Sequence, residues 1–471
     1  MDTEPRHPAP AGPSPRRGLP EVDFRLVLAA IVLLALVVRL LAIDSRLHVD
    51  DAYTWLVARQ PTPSAFLRQL AATENTPPLW YLLLTPLPID HVFWLRLPAV
   101  LAGTALTPVL ALVLRRALGT PAALLAALAV AVDPFLITDS DLARGFMLED
   151  LALLVTAWAM LHLRERITRR WGLTFVLAGA VAVYTEYSAA IFVLARVIAA
   201  LLTGAGERGR IAALGGLVLA TLLPWIPEIV RAQNQDGISK LHPMFATPSP
   251  AGLRNAAVVL AAGENGGTTS SAGRWLEFVV MLALAALGAW ILRRAWPGLH
   301  ERRRAAVALL AITGALTLIG HALAGPLGVD VFSQRYMTIL VPVGAALGAA
   351  ALLAAPLRWP ALVAVLVLVA LGAVSLVRRT GAQFEPDFAP VRAAALATHP
   401  RTILTNTPIV VYYLRVRNPA FDRPSNLGPG LAGTCARPCL IIDDNRVYGG
   451  TPRALTGSHQ TIGPYTLTLE P

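Results

Sequence analysis

Two adjacent acids, Asp50 and Asp51, follow the first apolar segment of the chain within a few residues, and the aromatic Tyr53 comes next. Charged groups close to hydrocarbon are costly to desolvate, so a carboxylate pair there needs a partner or a chemical purpose. Repulsion between the two carboxylates would raise one pKa and make that group a candidate proton acceptor. The alternative is that the pair only caps a helix from Asp51 to Gln60, since acids favour helix amino termini.

Two arginines are candidates for binding a phosphate group. Arg144 lies in the segment ITDSDLARGF between two apolar runs, and Arg335 precedes Tyr336 at the start of another apolar run. The planar guanidinium group can hold a phosphate through two parallel hydrogen bonds. For Arg144, a local ion pair with Asp141 is the alternative.

A double proline interrupts the chain before a short apolar segment. Asn75 and Thr76 precede Pro77 and Pro78, which lead into LWYLLL. Two prolines turn the chain rigidly, and Trp80 and Tyr81 suit the headgroup level of a bilayer. By itself this segment indicates only a membrane anchor.

Glu186 separates two apolar runs in the sequence AVYTEYSA. Its carboxylate could serve as a second acid, a metal ligand or an ordinary loop residue, and all three interpretations stay open.

The composition places these residues in a membrane protein. Of 471 residues, 55% are hydrophobic and 15% charged, whereas soluble domains carry roughly 25% charged residues. The net charge of +11 does not indicate nucleic acid, because the arginines occur as short clusters between apolar runs. The basic residues are nearly all arginine, with Lys240 the single lysine, which indicates a GC-rich bacterial genome. Two cysteines are too few for a scaffold built on disulfides.

Eleven apolar segments are predicted as membrane spans. They are Phe24–Ile43, Val92–Leu114, Pro121–Thr138, Leu142–Leu163, Gly172–Tyr184, Ser188–Thr203, Ile211–Val230, Trp275–Leu292, Ala305–Ala324, Met337–Ala355 and Trp359–Val377. The segment Leu79–Leu87 is too short to cross and is predicted to lie in the interface. Arginine clusters fall in every loop that a cytoplasmic amino terminus would place inside, which sets the orientation.

These spans divide the chain into three parts. Residues 1–23 are predicted to be a disordered cytoplasmic tail, and residues 24–377 a transmembrane core with long outer loops at 44–91 and 231–274. Residues 378–471 are predicted to form a small extracytoplasmic α/β domain, with strand-like sequence at Thr402–Leu414 and Cys439–Ile442. A disulfide between Cys435 and Cys439 and two buried thiols are both left open. The predicted fold class is therefore an all-α polytopic membrane protein of about eleven transmembrane helices with this small terminal domain.

All the charged groups singled out above fall on the predicted outer side, at the boundary between lipid and water. A site there suits a substrate with a lipid tail in the membrane and a charged, polar head outside. Lipid-linked sugar phosphates have that shape, and no glycine loop typical of nucleotide binding is present.

The ordered run VDDAYTW, ENTPPLWYLLL, ITDSDLARGFML, AVYTEYSA and SQRYM resembles the GT-C superfamily of polytopic glycosyltransferases. Within that superfamily it is most similar to the branch related to dolichyl-phosphate-mannose protein mannosyltransferases and lipid A aminoarabinose transferases. The resemblance, which covers roughly residues 24–355, implies that Asp50 is the catalytic base and Asp51 its acidic neighbour. It also matches family motifs to Pro77–Tyr81, Arg144–Phe146, and Arg335 with Tyr336.

The sequence departs from the family pattern at three positions. Thr76 and Glu186 stand where relatives often have histidine, and Gly145 replaces a proline after Arg144. A metal site built on histidine is therefore not predicted, although a divalent cation stays open as a cofactor.

The predicted activity is inverting transfer of a sugar, mannose being favoured, from a polyprenyl-phosphate donor to an acceptor hydroxyl at the outer face of the plasma membrane. The acceptor could be a protein, a polysaccharide or a glycolipid. A secondary transporter or flippase and an inactive membrane scaffold are the alternatives. No internal repeat of the kind typical of transporters is visible.

Overall fold

The computed structural model describes most of the chain between residues 23 and 470. The described residues are 23–41, 43–44, 47–74, 76–204, 207–233, 249–262, 270–324, 331–355, 359, 363, 370, 388–400, 402–405, 408–414, 439–444, 458–463 and 465–470. Several predicted features lie outside these residues. They are the predicted tail except for Asp23, nearly all of the eleventh predicted span, and the single residues Asn75 and Cys435.

Eighteen α-helices occur in the described part of the chain, and the first sixteen precede residue 355. These are α1 (Phe24–Leu40), α2 (Val49–Ala58), α3 (Pro63–Thr73), α4 (Leu79–Leu84), α5 (Val92–Ala117), α6 (Thr120–Val132), α7 (Pro134–Ser140), α8 (Phe146–Glu165), α9 (Arg169–Thr185), α10 (Ala189–Leu202), α11 (Arg208–Ala220), α12 (Ile226–Gln233), α13 (Pro250–Ala262), α14 (Ser271–Ala295), α15 (Glu301–Ala324) and α16 (Leu340–Ala354). Short 3-10 turns lie at Leu223–Trp225, Trp296–Gly298 and Gln334–Met337.

The long apolar helices are those of a multi-pass membrane protein. Within the described residues, five helical stretches are long and apolar enough to cross a membrane: α5, α8, the run Arg208–Val230, the run Ser271–Gly298, and α15. A sixth is obtained if the bent pair α6 and α7 counts as one span. Helices α10 and α16 are apolar but shorter, so the total of eleven spans stays a prediction.

The third predicted span is a broken helix and not a straight one. Helices α6 and α7 meet at 57° because Pro134 cannot continue α6, as it lacks the backbone N–H that a helix interior requires. The Asp133 side chain accepts a hydrogen bond from the Leu136 N–H at 2.9 Å and begins the new helix. After the break, α7 leads into the loop that contains Arg144.

Arg39 stabilises the end of α6 from inside the bundle. Its side chain is fully buried and donates to the Ala131 and Val130 carbonyl oxygens at 3.0 and 3.3 Å, and to the Ser140 hydroxyl at 3.0 Å. Carbonyl groups at a helix carboxyl end lack intrahelical partners, so a guanidinium there satisfies them and complements the helix dipole.

The residues beyond 388 include two helices, α17 (Ala389–Ala397) and α18 (Pro408–Leu414), and a four-stranded sheet. Its strands are β1 (Thr402–Thr405), β2 (Cys439–Asp444), β3 (Ser458–Ile462) and β4 (Tyr465–Glu470), in the order β1-β2-β4-β3. β1 runs parallel to β2, and the β2–β4 and β3–β4 pairs are antiparallel. Cys439 is disulfide-bonded.

The strand prediction for Thr402–Leu414 is correct only for its first four residues. The segment turns into the helix α18 at Pro408. Proline is well tolerated in the first turn of a helix, and the β-branched residues after it are held in the helix by packing. Ile409, Val410 and Val411 are all buried in one core with residues of α2 and α4.

This core joins the terminal sheet region to the helix that carries Asp50. The Tyr412 hydroxyl donates to the Asp90 carbonyl oxygen at 2.8 Å, and its ring meets Trp55 edge-on at 5.3 Å. The Trp55 indole N–H donates to the Asp90 carboxylate at 3.0 Å. The position of α2 is therefore set from two sides, by the bundle and by the terminal region.

Candidate active site

Asp50 and Asp51 lie in the first turn of α2, which begins two residues earlier than the capping alternative predicted. His48 caps the helix: its ring Nδ1 accepts a hydrogen bond from the Asp50 N–H at 3.1 Å. The Asp51 carboxylate in turn accepts from the His48 N–H at 2.9 Å, which completes a capping box. Consecutive residues of a helix point about 100° apart, so the two acids enter different surroundings.

Asp51 points into the protein and is fully buried. Arg96, itself 1% exposed, donates to its Oδ2 atom through Nε at 3.1 Å and through a terminal nitrogen at 2.6 Å. The Ala143 N–H donates to Oδ1 at 2.7 Å. The capping alternative thus describes Asp51, which ties α2 to α5 and to the loop before Arg144.

Asp50 lies between two guanidinium groups. Arg144 donates to Oδ1 at 3.0 Å and Arg335 to Oδ2 at 2.7 Å, although 285 residues separate Asp50 from Arg335. Burial opposes ionisation of this carboxyl, but the two arginines and His48 outweigh it and hold the pKa of Asp50 well below its usual range. The expectation that carboxylate repulsion raises a pKa in this pair is therefore wrong for Asp50, because Arg144 and Arg335 both pair with its carboxylate.

Arg144 connects Asp50 to a second acid. One terminal nitrogen donates to Glu74 at 2.7 Å and to the Tyr81 hydroxyl at 3.0 Å, and the Tyr81 hydroxyl is 2.8 Å from that of Thr76. Burial raises the pKa of Glu74 despite the charge of Arg144. Arg144 pairs with Asp50 and Glu74, and both partners come from the first long predicted loop.

The segment Pro77–Tyr81 is part of the protein interior and not a membrane anchor. Pro77 and Pro78 are buried, and Trp80 and Tyr81 are each 2% exposed. The Trp80 indole N–H donates to the Ala143 carbonyl oxygen at 2.8 Å. The headgroup interpretation is wrong because the polar tips of both rings find partners within the protein.

Gly145 allows α9 to approach the loop of Arg144 closely. A Cβ atom at residue 145 would collide with the Thr185 methyl group and would also touch Trp80. Thr185 is the last residue of α9, and Glu186 follows it. This contact places Glu186 in the same cluster as Arg144, Glu74 and Tyr81, close enough to interact electrostatically with all three.

A substitution at Gly145 tests the close approach. We expect Gly145→Ala to lower the free energy of unfolding by about 1–3 kcal/mol, the usual cost of overpacking a tight contact. Thermal unfolding in detergent measures the effect. The double variant Gly145→Ala/Thr185→Ser, which removes the colliding methyl group, should recover most of it. Gly216→Ala is the matched control, because no atom lies near the added Cβ atom there; an equal loss in the control would contradict the proposed contact.

The remaining predicted site residues differ in their surroundings and in how far they are buried in the protein. Tyr336 lies in the 3-10 turn with Arg335 and packs edge-on against Phe146 at 6.1 Å. Tyr53 is half-buried against the core shared by α2 and the terminal region, and Asp141 is 1% exposed. Asn75 lies outside the described residues. Among those that are described, no group of three or more His, Cys, Asp or Glu side chains is arranged to hold a metal ion.

Three residues of the cluster were not predicted from the sequence: Glu74, Arg96 and His48. Glu74 directly precedes Asn75, and its position at the start of the ENTPPLWYLLL motif was the available signal. Arg96 lies inside the second predicted span, and an arginine within a span calls for a buried partner. His48 precedes the acid pair by two residues, where helix caps occur.

The cluster combines an ionised carboxylate with two guanidinium groups that are 13% and 23% exposed in their side chains. Such an arrangement can bind an anionic group through the arginines and accept a proton or a hydrogen bond at the carboxylate.

Comparisons with known proteins found one matching family model and several solved structures with a similar fold. The family model of dolichyl-phosphate-mannose-protein mannosyltransferases matches residues 77–228. No curated protein sequence matches the chain significantly. The crystal structure of ArnT from Cupriavidus metallidurans bound to undecaprenyl phosphate is similar with a TM-score of 0.58 and 16% identity, covering 94% of this chain and 97% of that one.

The oligosaccharyltransferase of Archaeoglobus fulgidus, crystallised with Zn and sulfate, is similar with a TM-score of 0.54 and 14% identity, over 89% of this chain and 68% of that one. At these identities the structures establish the fold, and the family model adds a sequence relation over α4 to α12. Together they relate the chain to the GT-C superfamily of polytopic membrane glycosyltransferases.

Proposed function

We propose that the protein transfers a sugar, mannose being favoured, from a polyprenyl-phosphate donor to an acceptor hydroxyl, with inversion at the anomeric carbon. The site faces the outside of the plasma membrane of a GC-rich bacterium, and the acceptor is a protein, a polysaccharide or a glycolipid. One observation carries the proposal: the Asp50 carboxyl group lies between Arg144 and Arg335, which contact it at 3.0 and 2.7 Å. The fold shared with a protein crystallised with undecaprenyl phosphate supports a lipid-linked donor.

In the proposed step, the acceptor hydroxyl oxygen forms a bond to the anomeric carbon while the bond from that carbon to the donor phosphate oxygen breaks. Asp50 takes the hydroxyl proton, and the lipid phosphate leaves with the electron pair of the broken bond. Since the leaving group is a phosphate anion, no strong general acid is needed. A nearby carboxylate also suits the oxocarbenium-like character of such transfers.

Arg144 and Arg335 bind the donor phosphate in this proposal. A phosphate competes with Asp50 for Arg144 and Arg335, and their charge stabilises the negative charge that develops on the leaving oxygen. As the phosphate draws these groups away, the carboxylate loses the partners that hold the pKa of Asp50 low. Donor binding thereby raises the basicity of Asp50 at the moment when a base is required.

The other candidates have supporting roles in this proposal. Asp51, paired with Arg96 inside the protein, is a positioning residue that aims α2. Tyr53, Asn75, Asp141 and Tyr336 are candidates for contacts with the substrate. Pro77, Pro78 and Tyr81 shape the wall behind Arg144. The proposed step accounts for every bond and for the proton without a metal ion. A comparison of activity with and without EDTA tests whether a divalent cation enters with the donor phosphate.

Replacing Arg335 tests the phosphate assignment. We expect Arg335→Gln to raise the KM for the donor and lower kcat, with kcat/KM down by about 100-fold, because removing one preorganised charge-stabilising donor typically costs roughly 100- to 1000-fold. Arg335→Lys keeps the charge without the planar fork and should fall between the variant and the wild type. Arg68→Gln, at an exposed position of α3, is the matched control. Steady-state kinetics with varied donor concentration make the measurement, and an unchanged donor KM in Arg335→Gln would remove Arg335 from the donor site.

Product formation by the purified full chain in detergent tests the function itself. Radiolabelled polyprenyl-phosphate mannose and other lipid-linked hexoses and pentoses are supplied together with a membrane extract as the acceptor source. A transporter or flippase needs a sealed compartment, whereas a transferase forms product in detergent. Release of label from the lipid without a glycosylated product, or no reaction with any donor, would overturn the proposal.

A further inference from the structure

Two buried carboxyl groups in the cluster each have an oxygen atom without a hydrogen-bond partner among the described residues. These atoms are Glu74 Oε1 and Glu149 Oε2, and both residues are at most 7% exposed. Both carboxyl groups interact electrostatically with Glu186, which is 4% exposed. Buried polar groups are nearly always satisfied, so these two oxygen atoms point to partners supplied from outside.

The fold holds Glu149 and Glu186 together. Glu149 lies in the first turn of α8, and Glu186 lies at the end of α9, close enough for the two carboxyl groups to interact electrostatically. The Ser188 hydroxyl donates to Glu149 Oε1 at 3.4 Å, which joins the loop after α9 to α8. The contact between Gly145 and Thr185 brings this pair beside Arg144.

The charge state of Glu186 limits what the pair can bind. Burial raises the pKa of Glu186 to about 8, against the opposing charge of Arg144 and with the added charge of Glu74. At neutral pH this carboxyl group is therefore mostly protonated, and it offers one donor and remaining acceptor capacity. The titratable groups that face Glu186 are Glu149, Glu74, Arg144, Tyr81 and Tyr336.

We propose that Glu186 and Glu149 form a subsite that recognises ring hydroxyl groups of the transferred sugar. The inference rests on the proposed function and identifies the sugar ring as the part of the donor that the pair binds. A sugar hydroxyl both donates and accepts, so it satisfies the orphaned oxygens and the carboxyl proton together.

Other ligand groups fit this place less well. The donor phosphate is an anion, and Arg144 and Arg335 offer it a better site than carboxyl groups do. A ligand cation would require the pair to ionise, and two neighbouring carboxylates away from water are costly. A neutral hydroxyl needs neither change.

Two variants and a series of deoxy sugars test the subsite. Glu186→Gln keeps a donor and an acceptor, and we expect its donor KM to stay within about 3-fold of wild type. Glu186→Ala should raise the KM for the complete sugar about 10- to 100-fold. With the monodeoxy donor that lacks the recognised hydroxyl, wild type and Glu186→Ala should have the same KM. Glu207→Gln, at an exposed acid after α10, is the control.

Two results would overturn the subsite. One is an equal loss for Glu186→Ala with every monodeoxy donor, since no particular hydroxyl is then read. The other is a loss in Glu186→Gln as large as in Glu186→Ala, with a wild-type KM that falls as the pH rises above about 8, since an ionised pair that binds a cation would behave so.

A binding measurement separates this inference from the proposed function. Methyl hexosides and their deoxy analogues are titrated against the full chain while its thermal unfolding is followed. Stabilisation that Glu186→Ala loses and Glu186→Gln keeps supports the subsite even if no sugar is transferred. Wild-type transfer without any such difference between the variants overturns the subsite and leaves the proposed function intact.

Discussion

Asp50→Asn is expected to lower kcat for sugar transfer by about 100- to 10,000-fold, the range that general-base catalysis contributes, while the protein accumulates as the wild type does. Asn keeps the shape of the side chain but cannot take the hydroxyl proton. Because it also no longer competes with the donor phosphate for Arg144 and Arg335, the KM for the donor should stay constant or fall. The loss therefore appears in kcat.

Asp44→Asn provides the matched control for this variant. Asp44 belongs to the same predicted loop, but its side chain is 62% exposed and its carboxylate lies 3.9 Å from the His91 Nδ1 atom. Single-turnover measurements with saturating donor separate chemistry from binding. A kcat of Asp50→Asn within about 3-fold of wild type would exclude Asp50 as the base.

The pH dependence of stability follows from the same ion pairs. The folded-state pKa of Asp50 is depressed, so its pairs contribute stability at pH values above its unfolded pKa of about 3.9. That contribution is lost as the pH falls through the lower folded-state pKa. Denaturation of the wild type and Asp50→Asn at several pH values should therefore give a stability difference that is constant at neutral pH and shrinks only in strong acid.

The residue types and the family motifs predicted which side chains belong together, because each candidate stands at the end of an apolar run. Asp50, Arg144 and Arg335 are far apart in the chain, and alternating spans return their loops to one end of the bundle. The partners of each side chain were not predictable in this way. Arg144 pairs with Glu74, 70 residues away, and not with Asp141 three residues away, because α7 and its bend set the direction of the loop.

Long apolar helices were predicted more accurately than short or interrupted elements. The span Val92–Leu114 corresponds closely to α5, although two prolines lie inside that helix. The span Pro121–Thr138 breaks at Asp133, where a local cap competes with a continuous helix. The segment after Thr405 becomes helical because tertiary packing on α2 overrides the strand preference of its β-branched residues.

Asp51→Asn is expected to destabilise the protein, whereas Asp50→Asn is expected to lower kcat, although the two residues are adjacent. Asp51 is fully buried, and Arg96 is 1% exposed. Removing one charge leaves the other buried without its counter-ion, which typically costs about 3–5 kcal/mol. In addition, the amide nitrogen of Asn would face the donors of Arg96 and His48 in one orientation and the Ala143 N–H in the other. We expect low accumulation in the membrane and a clear loss of thermal stability.

The double variant Asp51→Leu/Arg96→Met separates stability from chemistry. Replacing a buried ion pair by apolar residues is often neutral or stabilising, so the double variant should recover part of the stability that Asp51→Asn loses. The recovery is partial because the His48 and Ala143 N–H groups lose their acceptor. If Asp51 acts by aiming α2, this variant keeps measurable transfer with a kcat closer to wild type than that of Asp50→Asn. A stable double variant whose kcat falls as far as that of Asp50→Asn would place Asp51 in the chemical step together with its neighbour. Western blotting of membranes, thermal unfolding in detergent and single-turnover kinetics, applied to all three variants in parallel, distinguish these outcomes.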